Sequence, residues 1–416
     1  MTTINPTLEK EQPGLLFTIG AWMTVAGAFS IPLLGNAAHN ILLGLPVIFL
    51  LFTKQIRQFP TLLRDNKTAL IGTLIFLFMA VSISWSDAEG KYSTKILSKY
   101  REFLFIPLFM LYFSYEKYRN FTLATLYSAL TLSLLFSYLI HYDIVNYWEN
   151  NHSIGNRIFH GVTMSFYGYM SLQASVIFKK YKWVFATLFL ITLHNLFFIE
   201  NGRTGYILII SLSALFFWQK LNLKTLCILL ALFIIACGLI YSLADLSHIR
   251  ILGNLNALSS SGPISMTAIQ QIDIRAEYYI LSFLTFLQNW FIGCGLGCFP
   301  EAYAAKHSEV GTFWSPTVNA HNEFLQIAVQ TGLIGATLFV AFVLSILLKS
   351  SDYQSEQKQF CSALFLLVTI SCLFNSSFLD HGDGIYFMLL IALIAGKKWQ
   401  SLPFSESSRA EVKHHE

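Results

Sequence analysis

The sequence predicts an all-α polytopic membrane protein with about twelve transmembrane helices and one large periplasmic loop between spans nine and ten. Three observations carry that reading. Of the 416 residues 55% are hydrophobic and only 12% charged, a balance outside the range of soluble domains. Apolar runs of about 17–25 residues recur from end to end, each long enough to cross a bilayer as a helix, which satisfies its own backbone in lipid. Lysine and arginine collect in every second connection, as alternating orientation requires. The short alternating segments of a membrane β-barrel are missing.

The runs fall near 15–34, 39–53, 68–86, 97–115, 121–141, 159–178, 183–199, 204–218, 225–243, 321–348, 359–379 and 384–396. The second and last are short, and the seventh and eighth are parted only by Glu200, Asn201, Gly202 and Arg203. The first follows Pro13 and Gly14 without a cleavage site and reads as a retained span. With the N-terminus cytoplasmic, the basic connections, such as Lys54 to Lys67, Lys179 to Lys182 and Lys349 to Lys358, all lie inside. The chain then divides into spans one to nine (1–243), a periplasmic loop (244–320), spans ten to twelve (321–396) and a cytoplasmic tail (397–416). The formal net charge of +4 says little beside this loop asymmetry and gives no ground for a nucleic-acid partner.

Within the loop, an Asn/Ser/Gly stretch from Gly253 to Pro263 precedes a run from about Ala268 to Trp290. That run mixes Ile274, Tyr278, Leu281 and Phe286 with Asp273, Arg275 and Glu277, the pattern of a helix lying at the interface. Gly293 to Gly297, GCGLG, is a turn and not a dinucleotide fingerprint, because no strand precedes it. Cys227, Cys237, Cys361 and Cys372 lie in apolar runs and read as buried small hydrophobes. Cys294 and Cys298 share the turn; free thiols are favoured over a bridge, and they lack the partners of a zinc site.

His321, Asn322 and Glu323 stand where polar sequence meets the tenth run, which carries Gly332 and Gly335 further in. A histidine there can exchange a proton near neutral pH beside a substrate approaching from the membrane surface; the bland alternative is a helix-end histidine bonded to backbone or water. Arg157 and Arg203 precede the sixth and eighth runs on the outer side, where the positive-inside rule disfavours them, and Arg275 sits on the interfacial helix. A guanidinium kept in such a place suits a phosphate or pyrophosphate; a structural ion pair, such as Arg203 with Glu200, is the alternative. Lys91, Lys95 and Lys99 form a helical stripe toward water or headgroups, while Arg101, nearer the fourth run, is expected to point inward. His160 and His194 read as satisfied core residues, and Asp380, His381 and Asp383 as a turn.

Several stretches together resemble the O-antigen ligase/polymerase superfamily: SWSDAEGKYSTKILSKYREFLFIPLF, ENGRTGYILI, IRAEYYILSFLTFLQNWFIGCGLGCFPEAY, AHNEFLQIAVQTGLIG and SSFLDHGDGIYFMLL. The resemblance covers most of the chain and is most specific over 200–335. It implies a periplasm-facing glycosyltransferase of the inner membrane that moves a glycan from undecaprenyl pyrophosphate to the lipid A–core. It further implies that His321 is the catalytic base and that Arg203 and Arg275, with Arg157 or Arg101 assisting, hold the pyrophosphate. Asn322 and Glu323 take supporting places. Many members carry an acid where this chain has Gln330. No cofactor is implied, and without a D-x-D or acidic cluster in the loop the reaction is expected to be metal-independent. An O-antigen polymerase and a protein O-oligosaccharyltransferase share this chemistry. A transporter is disfavoured, because its two halves should carry matching broken helices.

Overall fold

The computed structural model describes residues 13–34, 36–145, 156–200, 202–221, 274–310, 314–348 and 353–399, and every regular element among them is a helix. The expected ninth span, the Asn/Ser/Gly stretch, Cys227, Cys237 and the tail lie outside the described residues. In chain order the helices are α1 (Leu15–Ser30), α2 (Asn36–Leu51), α3 (Phe59–Asp65), α4 (Lys67–Ser82), α5 (Gly90–Lys99), α6 (Glu102–Phe113), α7 (Glu116–His141) and α8 (Arg157–Ile177). They continue as α9 (Lys182–His194), α10 (Arg203–Lys220), α11 (Ile274–Gln288), α12 (Phe299–Val310), α13 (Glu323–Leu348), α14 (Ser355–Phe374) and α15 (His381–Ala395).

Five segments are long and apolar enough to cross a membrane: Lys67–Trp85, Glu116–His141, Lys179–Ile199, Glu323–Leu347 and Ser355–Phe374. A sixth results if Ala37–Leu51 and Lys54–Asp65, bent by 78°, form one broken span. The protein is therefore a helical membrane protein, and among the described residues length and composition single out five or six spans where the sequence suggests more. The shortfall has physical causes. The fourth expected span becomes α6 alone, because the chain turns at Tyr100 and Arg101 before the helix starts at Glu102. The sixth carries His160, Thr163, Ser165 and Gln173 on its buried face, which lowers its hydropathy. The first and last expected spans form apolar helices that are shorter, Leu15–Ser30 and Gly382–Ala395.

The bundle closes around α15, whose residues from Ile385 to Ala395 are buried throughout. At one end of the bundle Asn66 caps α4 by accepting the Ala69 amide, and its Nδ2 donates to the carbonyls of Ala395 and Gly396, each at 3.0 Å. That bond set fixes the foot of α4 to the foot of α15. α8 and α10 touch through Gly161 and Gly205, where a Cβ on either would come within 3.2 Å of the other's backbone. Ser345 on α13 donates to Thr68 on α4 at 2.9 Å.

The tenth expected span is not one continuous helix. Gly332 adopts φ 64 and ψ −163, which breaks α13 and releases the carbonyls of the turn before it. The turn between α11 and α12 fills the gap: the amides of Cys294 and Gly295 donate to the carbonyls of Val329 (3.1 Å) and Gln330 (2.9 Å), and the Leu333 amide donates to the Trp290 carbonyl (2.8 Å). Gly293, Gly295 and Gly297 all have positive φ. A Cβ on Gly293 would fall on the backbone of Gln330 and Thr331, so the close approach itself demands glycine there. Contrary to the free-thiol expectation, Cys294 and Cys298 are joined by a disulfide across this turn. From the other side Ser86 donates to the Leu296 carbonyl at 2.8 Å, and α5 lays Ser93 against Gly297 while Lys91 and Lys95 stay exposed. Phe283, Leu287, Trp290, Phe291 and Ile292 leave an exposed apolar edge beside the exposed Leu333 of α13, which a membrane protein places against lipid. The run expected to be helical in the loop forms α11, and its far end grips α13.

A Cβ at Gly332 would meet the Phe291 carbonyl and the Gly293 amide in a backbone conformation that side chains resist. Gly332→Ala is expected to lose about 1–3 kcal/mol of stability, seen as a lower midpoint of thermal unfolding in detergent. Gly44→Ala, inside α2 where a Cβ meets nothing within 4 Å, should not lower that midpoint.

Candidate functional site

α13 starts where it does because Asn322 caps it. Its Oδ1 accepts the Leu325 amide at 3.1 Å, and its Nδ2 donates to the Leu373 carbonyl at 3.1 Å, which joins the start of α13 to the end of α14. The chain must turn sharply to enter the helix, and His321 takes φ 51, a left-handed conformation uncommon for a residue with a side chain. Three elements hold that bend. The His321 amide donates to Asn319 Oδ1 at 2.8 Å, the Ala320 amide donates to Gln326 Oε1 at 2.9 Å, and Tyr279 Oη donates to the His321 carbonyl at 3.2 Å. Tyr279 Oη also lies 2.9 Å from the Leu373 carbonyl.

The imidazole itself is half-buried and stacked on the Tyr278 ring, centroids 5.5 Å apart and planes inclined by 17°. Burial lowers the histidine pKa below its ordinary value, and the positive charge of Arg275 lowers it further. At neutral pH the ring is therefore neutral and able to accept a proton, with a guanidinium beside it. Arg275, Tyr278 and Tyr279 stand at i, i+3 and i+4, so one face of α11 supplies the cation, the stacking partner and the backbone clamp. Behind Tyr278, Tyr303 of α12 packs edge-on at 6.3 Å; burial and then the nearby Glu277 push its phenol pKa up.

Glu323 is fully buried, and its carboxylate is occupied by structure. Oε1 accepts from Tyr100 Oη at 2.9 Å, and Oε2 accepts the amides of Phe378 (2.7 Å) and Leu379 (3.2 Å). It ties the turn at 375–380 to the segment before α6. Asp380 then caps α15 by accepting the Gly382 amide. Gln330, where the resemblance leads one to expect an acid, accepts the Gly297 amide at 2.7 Å through Oε1 and donates to the Gln326 carbonyl at 3.1 Å through Nε2.

The other arginines take different places. Arg157 and Arg203 are the first residues of α8 and α10, both exposed, and a Cβ on Gly202 would lie 3.5 Å from the Arg157 carbonyl, so the two helix starts are neighbours. Phe159, two residues into α8, packs edge-on to Tyr386 and beside Gly382 at the start of α15. The starts of α8, α10, α13 and α15 thus share one end of the bundle. Arg101 donates to Asn40 Oδ1 and stands 5.8 Å over the Phe105 ring. It lines a pocket with His39, Leu43, Ile385 and Met388 on the α2 side of α15, while the neighbouring Tyr100 reaches Glu323. The structure brings Arg275 to His321, sets Arg157 beside Arg203, and holds Arg101 in a separate pocket. His160 is buried and bonds to Asn195 at 2.8 Å, as a core residue should, whereas His194, also expected in the core, is exposed and bonds to Tyr138 at 2.8 Å.

Residues 186–340 match the family model described as O-antigen ligase. The matched stretch contains Arg203, Arg275, the glycine-rich turn, His321 and the break at Gly332, and it leaves out Arg101 and Arg157. No curated protein matches the chain.

Diethyl pyrocarbonate reacts with neutral imidazole, so its reaction with His321 should persist to lower pH than for an exposed histidine. Replacing Arg275 with Gln removes the positive charge that opposes protonation. The midpoint of His321 modification, followed by peptide mass spectrometry, should then move to higher pH; a midpoint that stays put would show that the charge does not reach the ring.

Proposed function

We propose that this member of the O-antigen ligase family is an inverting glycosyltransferase that moves a glycan from undecaprenyl pyrophosphate to a hydroxyl of the lipid A–core. The observation that carries the reading is the pairing of a half-buried, neutral His321 with Arg275 inside the stretch that matches the family. His321 accepts the proton of the acceptor hydroxyl, whose oxygen attacks the anomeric carbon as the bond from that carbon to the pyrophosphate oxygen breaks. Negative charge grows on the departing pyrophosphate, and Arg275 answers it at the site while Arg203, backed by Arg157, meets the diphosphate from the neighbouring helix starts. The diphosphate is already activated, so no nucleotide takes part.

The same reading sets the chain in the inner membrane with twelve spans, the loop between spans nine and ten in the periplasm, and the site facing that side. The Cys294–Cys298 bridge supports this orientation, because disulfides persist in an oxidising compartment such as the periplasm. Arg101, held by Asn40 and Phe105, is assigned a secondary place in donor binding.

Reconstitution of the full chain with carrier-linked glycan and core acceptor tests donor and acceptor together. His321→Ala should lower transfer by about 10²- to 10⁴-fold while the protein still inserts, and normal transfer would remove the histidine from the mechanism. Arg203→Lys keeps charge but loses the planar fork, so an appreciable loss supports bidentate diphosphate binding. Gene loss separates the reaction from its relatives. A ligase mutant keeps polymer on the carrier and shows bare core, a polymerase mutant shows core with one repeat, and a protein-glycosylating mutant leaves lipopolysaccharide unchanged.

A further inference from the structure

We propose that Gln326 is a positioning residue for His321 and that Gln330 couples it to the glycine-rich turn, so that two amides one helical turn apart fix where the imidazole points. The bonds form an unbroken series. The Gly297 amide donates to Gln330 Oε1 at 2.7 Å, Gln330 Nε2 donates to the Gln326 carbonyl at 3.1 Å, and Gln326 Oε1 accepts the amide of Ala320 at 2.9 Å. Ala320 directly precedes His321. Both glutamines are buried, 2% and 1% exposed, in a helix that otherwise reads as a membrane span. A buried amide is retained in such a helix only where its donors and acceptors are met.

The residue types matter. An ionised carboxylate at 330 could accept from Gly297 but could not donate to the Gln326 carbonyl, so an acid there would have to stay protonated to serve both partners, whereas the amide serves both at any pH. At 326 the bond to Ala320 needs an acceptor alone, which a carboxylate also supplies. The left-handed bend at His321 is uncommon for a residue with a side chain, and it is held by these bonds together with those of Asn319 and Tyr279. Releasing the Ala320 amide frees the bend and lets the ring leave its stack on Tyr278.

The inference rests on His321 being the base of the transfer reaction, and the test separates the two ideas. The full chain is reconstituted in liposomes with carrier-linked glycan and core acceptor, and Gln326→Leu, Gln326→Glu and Gln330→Glu are compared with wild type. The ionisable groups around the imidazole, Arg275, Tyr278 and Tyr279 on α11, Tyr303 behind Tyr278 and Glu323 on α13, stay in place in every variant, but the two glutamate variants add a carboxyl, so the pH profile is read from Gln326→Leu alone. Gln326→Leu should lower kcat by about 10- to 100-fold with little change in KM for either lipid, and should move the acid limb of the pH–rate profile upward. Gln326→Glu, which keeps the acceptor, should restore most of the rate, and Gln330→Glu should fall between. Wild-type kcat and pH profile in Gln326→Leu, or equal loss in Gln326→Glu, would overturn the positioning role. If wild type itself transfers nothing, the transferase reading falls, and carbethoxylation of His321 still decides the other point. An unchanged midpoint and rate in Gln326→Leu refute positioning, and an upward shift sustains it.

Discussion

The arrangement depends on backbone meeting backbone at Gly332. A helix that breaks inside an apolar layer exposes carbonyls that water cannot reach, and each would be costly if left alone. Here the amides of Cys294 and Gly295 satisfy the carbonyls of Val329 and Gln330, and Leu333 answers Trp290 in return. The break and the turn are therefore a single construction. Neither could persist without the other, and the glycines on both sides are the condition for the chains to come that close.

What that construction positions is α11. Because its far end is fixed to α13 and its near end clamps the His321 carbonyl through Tyr279, the helix lies along the first turns of α13 and not free above the bundle. Arg275 and Tyr278 are carried to the imidazole by the same face. The electrostatics of the histidine follow from packing: the ring is kept neutral by burial and by a neighbouring cation, while the only acid of the AHNEF motif, Glu323, is turned away into bonds with Tyr100 and the 375–380 turn.

The sequence displayed much of this and concealed the rest for identifiable reasons. Apolar length located the helices, and the boundary between polar and apolar residues located His321. The i, i+3, i+4 set of Arg275, Tyr278 and Tyr279 was legible too, although only the arginine drew attention, because aromatics on a helix usually mean core. Gly332 inside an apolar run gave no sign of a break, since a helix break has no signature until its partner turn is known. The bridge between Cys294 and Cys298 and the short helix α12 were hidden for a similar reason: a short turn rich in glycine and cysteine does not reveal what it leans on. Arg101 was assigned by proximity to the fourth run, but the turn at Tyr100 sends the tyrosine toward Glu323 and the arginine toward Asn40.

The helix most enclosed by its neighbours, α15, comes later in the chain than α6, α8 and α14 against which it lies. During synthesis those earlier helices must wait around a vacant axis, their inner faces wetted by lipid or guarded by insertion factors, until the central rod is threaded among them. Asn66 then receives carbonyls made some 330 positions downstream. The enclosure of the bundle is therefore finished only when the last described helix is in place.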